Sequence, residues 1–317
     1  MAWFGKKEEK KKGASILKTL EDPAVPAVPS ASILDGDENA ATPVEGINLG
    51  RLARIQPFNS VAISLLRLFD RDDVNVKEVV RLVQSDPALA AETLAFVNSP
   101  LFAVRESITD LQHAISVLGV DNTKSLATTL AMRSMLKSAP KAQVVRRLWR
   151  HSIATAMIAS ELAPIYGVAP DLANTAGVLH DVGRMGLLAE YRDDYGRMVL
   201  SLFDNVEAVL LAERELCALD HCDVGMYLGK VWELPQVFQD VAAKHHKAKG
   251  DTGILGLIHV ACAMADDMTF SAIAHRGVLP VAERVAECVP EKWREQVKAR
   301  WAGSEQRILD KVNILDF

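Results

Sequence analysis

From Asn48 to the end of the chain, helix signals follow one another with almost no strand signal between them. Val76, Val79, Val80 and Val83 recur at helical spacing, and Ser85-Asp86-Pro87 stops the run. Pro87 suits the first turn of a second helix, with Asp86 as its cap; that helix carries Leu89, Leu94 and Val97 and ends near Asn98-Ser99-Pro100. Thr109 or Asp110 opens another, which Gly119 closes. Asp121 precedes a long Ala- and Leu-rich segment, and Ser138-Ala139-Pro140 is the best internal boundary. Residues 144–166 read as one long helix ended by Gly167, and Pro170 opens the next. Further helical stretches are expected over 207–219, 222–232, 235–246 and 253–275, with a charged helical tail from Val281. Aromatic residues are only 6%, which favours packed helices over an aromatic-rich sandwich. The pattern predicts an all-α fold.

Residues 1–46 read differently. Lys6, Lys7, Lys10, Lys11 and Lys12 surround Glu8 and Glu9, and a Pro-rich stretch without helical period follows, so a flexible charged tail is expected. The rest divides into helical parts over 47–139 and 140–280 and an extension over 281–317. Against 41 acidic residues stand 36 basic ones, a net charge of -5, which argues against general nucleic-acid binding. Cys217, Cys222, Cys262 and Cys288 form no CxxC pair and read as reduced thiols. No apolar run reaches the roughly 18 residues a membrane span needs. A cytoplasmic location is expected. Deleting residues 1–45 should leave the melting temperature unchanged, because the segment has no periodic apolar face to bury; a large drop in melting temperature would show that it packs.

Polar residues inside apolar helices carry the chemistry. His180-Asp181 sits in GVLHDVGRMG, flanked by Val178, Leu179 and Val182. An imidazole and an adjacent carboxylate suit a divalent ion, and the carboxylate can bridge two; a buried hydrogen-bonded pair is the alternative. His151, in RLWRHSIATAMIA, is either a core histidine or a ligand. His221 either caps its helix or reaches the same crevice, and His245-His246 stand at an expected helix C-terminus. Asp266 and Asp267 end an otherwise apolar run; one is expected to turn inward and the other to face water.

The order His151, His180-Asp181, His221, His245-His246, Asp266 resembles the HD superfamily of metal-dependent phosphohydrolases, in the branch that holds the HD-GYP and HDOD families. LVQSDPALAAETLAFVNSPLF and SITDLQHAISVLGVDNTKSLA are similar to the N-terminal region of HDOD proteins, which places the chain in that family over roughly residues 48–275. The resemblance implies an all-α signal-transduction module, with a signalling protein as partner and a nucleotide as candidate ligand. It implies that His151, His180, Asp181, His221, His245, His246 and Asp266 hold two divalent ions, iron or manganese. Asp181 would be the bridging, catalytic carboxylate, and Arg184 or Lys244 would hold phosphate. Departures bear on activity. HD-GYP proteins follow the paired histidines with Gly-Tyr-Pro, whereas KAKGDTG stands after His246 here. Arg184 replaces their phosphate-binding lysine, and Arg147 stands where members with three metals carry a glutamate. The expectation is a regulatory protein with a metal centre but without efficient cyclic di-GMP hydrolysis; the alternative is a metal-dependent phosphohydrolase of nucleotides or cyclic dinucleotides.

Overall fold

The helices begin and end where capping chemistry puts them. A computed structural model describes residues 59–71, 73–99, 107–137 and 142–315, so the expected tail over 1–46 and the Ser138-Ala139-Pro140 boundary lie outside the described residues. Helix α1 (Ser60–Arg67) opens on Asn59, whose side chain accepts from the N–H groups of Val61 and Ala62. Helix α2 (Val76–Gln84) buries Val79, Val80 and Val83. Helix α3 (Pro87–Val97) starts with its proline, and Asp86 accepts from the backbone of Ala88 and Leu89. Asp110 caps α4 (Leu111–Leu118), and Gly119 closes it at φ 81°. Helix α5 (Val120–Lys137) completes this first group, whose apolar cluster gathers Leu65, Val79, Val83, Ile115 and Leu130.

The larger core begins with α6 (Ala142–Tyr166) and α7 (Pro170–Leu179). It continues through α8 (Val182–Val199), α9 (Val206–Cys217), α10 (His221–Val231), α11 (Gln236–Lys244) and α12 (Ile254–Ala265). Helices α13 (Val281–Cys288), α14 (Arg294–Trp301) and α15 (Glu305–Leu315) follow. Helix α6 packs along α7 and α12, and α10 packs against α8 and α11. Trp149, Phe238, Ile153 and Leu257 fill the space between them. Among the described residues the architecture is all-α apart from one parallel bridge, in which β1 (Leu202–Phe203) pairs Leu202 with Ala274 and Phe203 with His275 of β2 (Ala274–His275).

Two local expectations change. The helix over 253–275 stops at Ala265; Asp266–Phe270 continues as a wider turn, and Thr269 at φ 72° reverses the chain toward β2. His180 and Asp181 lie between helices, because α7 ends at Leu179 and Asp181 takes φ -102°, ψ 18° before α8.

Gly183 lets α8 and α10 touch. A Cβ there would stand 1.8 Å from the carbonyl oxygen of His221 and 2.6 Å from the amide nitrogen of Gly225. Gly183→Ala should therefore destabilise by about 3 kcal/mol or abolish folding, since both obstructing atoms are backbone. Gly303→Ala, with open space around it and no positive φ, should cost less than about 1 kcal/mol. Urea unfolding of the two variants checks the contrast, and equal losses would contradict it.

Candidate metal centre

Three backbone carbonyls orient three imidazoles. His180 Nδ1 donates to Gly177 O (2.7 Å), His245 Nδ1 to Val241 O (3.0 Å) and His151 Nδ1 to Phe270 O (3.0 Å). Gly177 and Val241 lie in the last turns of α7 and α11, and the Val241 carbonyl accepts the backbone N–H of His245 as well as its ring. A carbonyl can only accept, so each ring carries its proton at Nδ1 and turns Nε2 inward. His221 is held the same way by a carboxylate, with Nδ1 2.6 Å from Glu213 Oε2. Asp220, not His221, caps α10, so the imidazole is free to point into the crevice.

The inward nitrogens meet around Asp181. His151 Nε2 and His180 Nε2 are 3.2 Å apart, and they lie 3.6 and 3.8 Å from Asp181 Oδ2. On the other side, His221 Nε2 is 3.2 Å and His245 Nε2 3.5 Å from Asp181 Oδ1, while His246 Nε2 is 3.1 Å from His221 Nε2. Asp181 Oδ1 and His245 Nε2 are buried without a hydrogen-bond partner. Two neutral imidazoles with protons at Nδ1 present facing lone pairs, which repel at 3.2 Å unless a cation stands between them. Burial pushes His180 and His246 well below the ordinary histidine value and lowers His245, which disfavours a proton in that role. Burial and Arg184 would lower His221, but Cys222, Glu213 and Asp181 outweigh them and raise it well above the ordinary value, so a metal must displace its proton. The remaining imidazole nitrogens, the ionised carboxylate and the orphaned buried acceptors fit a divalent metal ion.

A buried charge network sets the protonation. Burial would raise Asp181, but Arg184 and the neighbouring histidines outweigh it and hold the carboxyl well below its usual range. Arg184 is itself interior. Its Nε donates to Asp181 Oδ2 (2.8 Å) and its Nη1 to Glu213 Oε1 (2.5 Å), and Nη1 also reaches Tyr195 Oη (3.4 Å). Its Nε and Nη1 are thus taken by the protein, while Nη2 lies 3.5 Å from His221 Nε2. Lys244, the other expected phosphate group, is exposed and pairs with Asp240 at 2.8 Å.

Asp266 is buried but stands on the far side of His151, with Oδ1 3.5 Å from Nδ1 and Oδ2 3.2 Å from His275 Nε2. Asp267, expected to face water, is instead held by Arg284 at 2.9 and 3.2 Å and by Leu279 N–H at 2.8 Å. Beside the centre opens a cleft of about 520 Å³, bordered by His246, Cys262, Asp266, His275, Lys247 and Lys249. Its size falls in the range of small-molecule pockets.

Sequence reasoning missed Glu213 and His275. Glu213 carried a signal: with Val209 and Cys217 it forms a buried stripe at four-residue spacing along α9. His275 carried none, since the two-residue bridge to Phe203 alone brings it to Asp266.

Glu213 gives the network a pH signature. Burial would raise its carboxyl, but Arg184 and His221 hold it at about 2 against an ordinary 4.5. The depressed value means that its stabilisation is complete above about pH 4.5 and lost as pH falls through the folded value near 2. Linkage over that interval corresponds to about 3 kcal/mol. Glu213→Gln should lose roughly that much at pH 7 and show a flatter decline between pH 5 and 2, measured by urea unfolding. An unchanged acid limb would contradict the assignment.

Comparison with known proteins gives a consistent picture. The HDOD domain model matches residues 55–248. An uncharacterized protein of Treponema pallidum (strain Nichols) is 23% identical over 203 residues, which is 62% of this chain and 38% of that protein. The chain thus spans well under half the length of that relative. Among solved structures, an HDOD domain protein of unknown function from Geobacter sulfurreducens is 22% identical with TM-score 0.65, covering 84% of this chain and 97% of that one. A Marinobacter aquaeolei VT8 protein provisionally named for signal transduction gives 20% identity and TM-score 0.62, over 84% of this chain and 60% of its own. A provisionally named phosphohydrolase from Shewanella amazonensis SB2B gives 21% and 0.56, over 86% and 95%. At these identities the likeness shows the shared fold.

Proposed function

The chain belongs to the HDOD family of the HD superfamily, and on that premise we propose that it is a signal-transduction protein built around a binuclear His/Asp metal centre, competent to bind but not an efficient cyclic di-GMP hydrolase. The observation that carries this reading is the facing pair His151 Nε2 and His180 Nε2 at 3.2 Å, each with its proton turned away toward a carbonyl. His151, His180 and Asp181 Oδ2 would hold one ion; His221, His245, His246 and Asp181 Oδ1 would hold the other. Asp266 supports His151 from behind rather than entering either group. Bound divalent ions would supply positive charge and Lewis acidity to a phosphate entering the cleft.

Arg184 separates regulation from hydrolysis. A group that grips substrate phosphate must have free donors facing it, and the Nε and Nη1 of this buried guanidinium are held by Asp181, Glu213 and Tyr195. Its role in this reading is to keep Asp181 ionised, and a signalling partner reads the resulting conformation. The cleft favours the second reading, a phosphohydrolase of nucleotides, because Lys247 and Lys249 border it near His246.

Protein purified without chelator should carry about one to two transition-metal ions per chain by elemental analysis. His180→Ala or Asp181→Ala should remove most of that metal, and metal-free wild type would sink the proposal. Cyclic di-GMP turnover by iron- or manganese-loaded protein, assayed under reducing, oxygen-free conditions, should remain at background. Metal-dependent turnover that disappears in Asp181→Ala would promote the phosphohydrolase reading instead.

A further inference from the structure

Two cysteines stand at the centre, one on each side of Asp181. Cys262 lies on α12, one turn before Asp266, and its Sγ is 3.6 Å from His151 Nε2. Cys222 follows His221 in the first turn of α10, and its Sγ is 3.6 Å from His221 Nε2. Each thiol belongs to a convergent group: Cys262 with His151 and His180, and Cys222 with His221, His245 and His246. Both are buried free thiols. The second group contains His245 Nε2, which is buried and has no hydrogen-bond partner, and it adjoins the equally unpartnered Asp181 Oδ1.

The distances match ligation. A sulfur about 2.3 Å and a nitrogen about 2.05 Å from one ion, at a tetrahedral angle, lie about 3.6 Å from each other. Two nitrogens on one ion lie about 3.0 to 3.4 Å apart, from octahedral to tetrahedral angles. The two sulfur–nitrogen separations are 3.6 Å, and the two nitrogen–nitrogen separations are 3.2 and 3.1 Å. Asp266, the carboxylate that the His/Asp reading expects in the first group, faces His275 and the Nδ1 edge of His151 instead. Cys262 presents its sulfur to the Nε2 edge, where the lone pair is.

We propose that Cys262 and Cys222 are metal ligands, so that the centre is a mixed imidazole, carboxylate and thiolate site that selects a thiophilic divalent ion such as zinc or ferrous iron over manganese. This rests on the metal-centre reading above. On binding, each thiol gives its proton to solvent and its sulfur bonds to the ion, with no change of oxidation state. Thiolates are soft donors, and they shift preference away from the harder ions that carboxylate and water suit.

Cobalt(II) is the probe, because thiolate bound to it gives a near-ultraviolet charge-transfer band that imidazole and carboxylate do not. Full-length protein loaded with cobalt under reducing, oxygen-free conditions should show that band. Cys262→Ser and Cys222→Ser should each remove part of it, and the double variant should remove it all, with cobalt content followed by elemental analysis. Cys217→Ser, which alters a buried cysteine outside both groups, should leave the band intact. Manganese in tenfold excess should fail to displace cobalt from wild type. Wild-type protein that binds cobalt without the band overturns the thiolate assignment and leaves the His/Asp centre standing, the cysteines then being hydrogen-bond donors to imidazole. Wild type that binds no cobalt overturns both. Because the wild-type spectrum decides, a variant that fails to fold does not remove the test.

Discussion

Asp181 is a carboxylate that must stay ionised at full burial, and the surrounding helices are arranged around that demand. A lone charge in such a place would be neutralised by a pKa shift. Arg184, three residues later on the first turn of α8, prevents this, and Glu213 holds Arg184 in place from α9. Glu213 in turn accepts from both the backbone and the ring of His221. One chain of contacts therefore links three helices, fixes a ring orientation and keeps an acceptor available. Removing one member leaves the others as unpaired buried charges, which is far costlier than the pair is stabilising. The absence of a Cβ at Gly183 belongs to the same arrangement, since it brings the backbone of α8 against the first turn of α10.

Much of this was legible in the chain, for identifiable reasons. Caps are local, so Asp86, Asp110 and Gly119 announced their helix ends directly. The histidines stood out because imidazoles among Val, Leu and Ala need a partner. What escaped were features that depend on another element. The end of α12 at Ala265 follows from the reversal at Thr269, a residue with no strong turn preference. The inwardness of Asp267 follows from Arg284, 17 positions away. Arg184 was read as a phosphate group from its position after the His-Asp pair, and only the fold reveals that Glu213 and Tyr195 lie around it.

The cleft and the centre offer different chemistries at one place. The centre is buried and anionic at Asp181, while the cleft wall carries exposed Lys247 and Lys249, the latter paired with Glu287. A ligand with a negative end would meet lysines at the rim before it reached His246 and Cys262 deeper in. Ordered in that way, charge guides entry and the buried donors discriminate.

The hydrogen bonds from His180 and His245 to Gly177 and Val241 have a mechanical consequence. Each imidazole bonds a carbonyl in the last turn of the helix before it while its other nitrogen faces the shared interior. The ends of α7 and α11 are thereby tied to the occupancy of a single small volume, and His151 ties in the turn after α12 through Phe270. An ion held in that volume would restrain these three chain segments together, and its loss would release them. A surface resting on those segments would register the difference as stiffness, without any of its own residues meeting the ion.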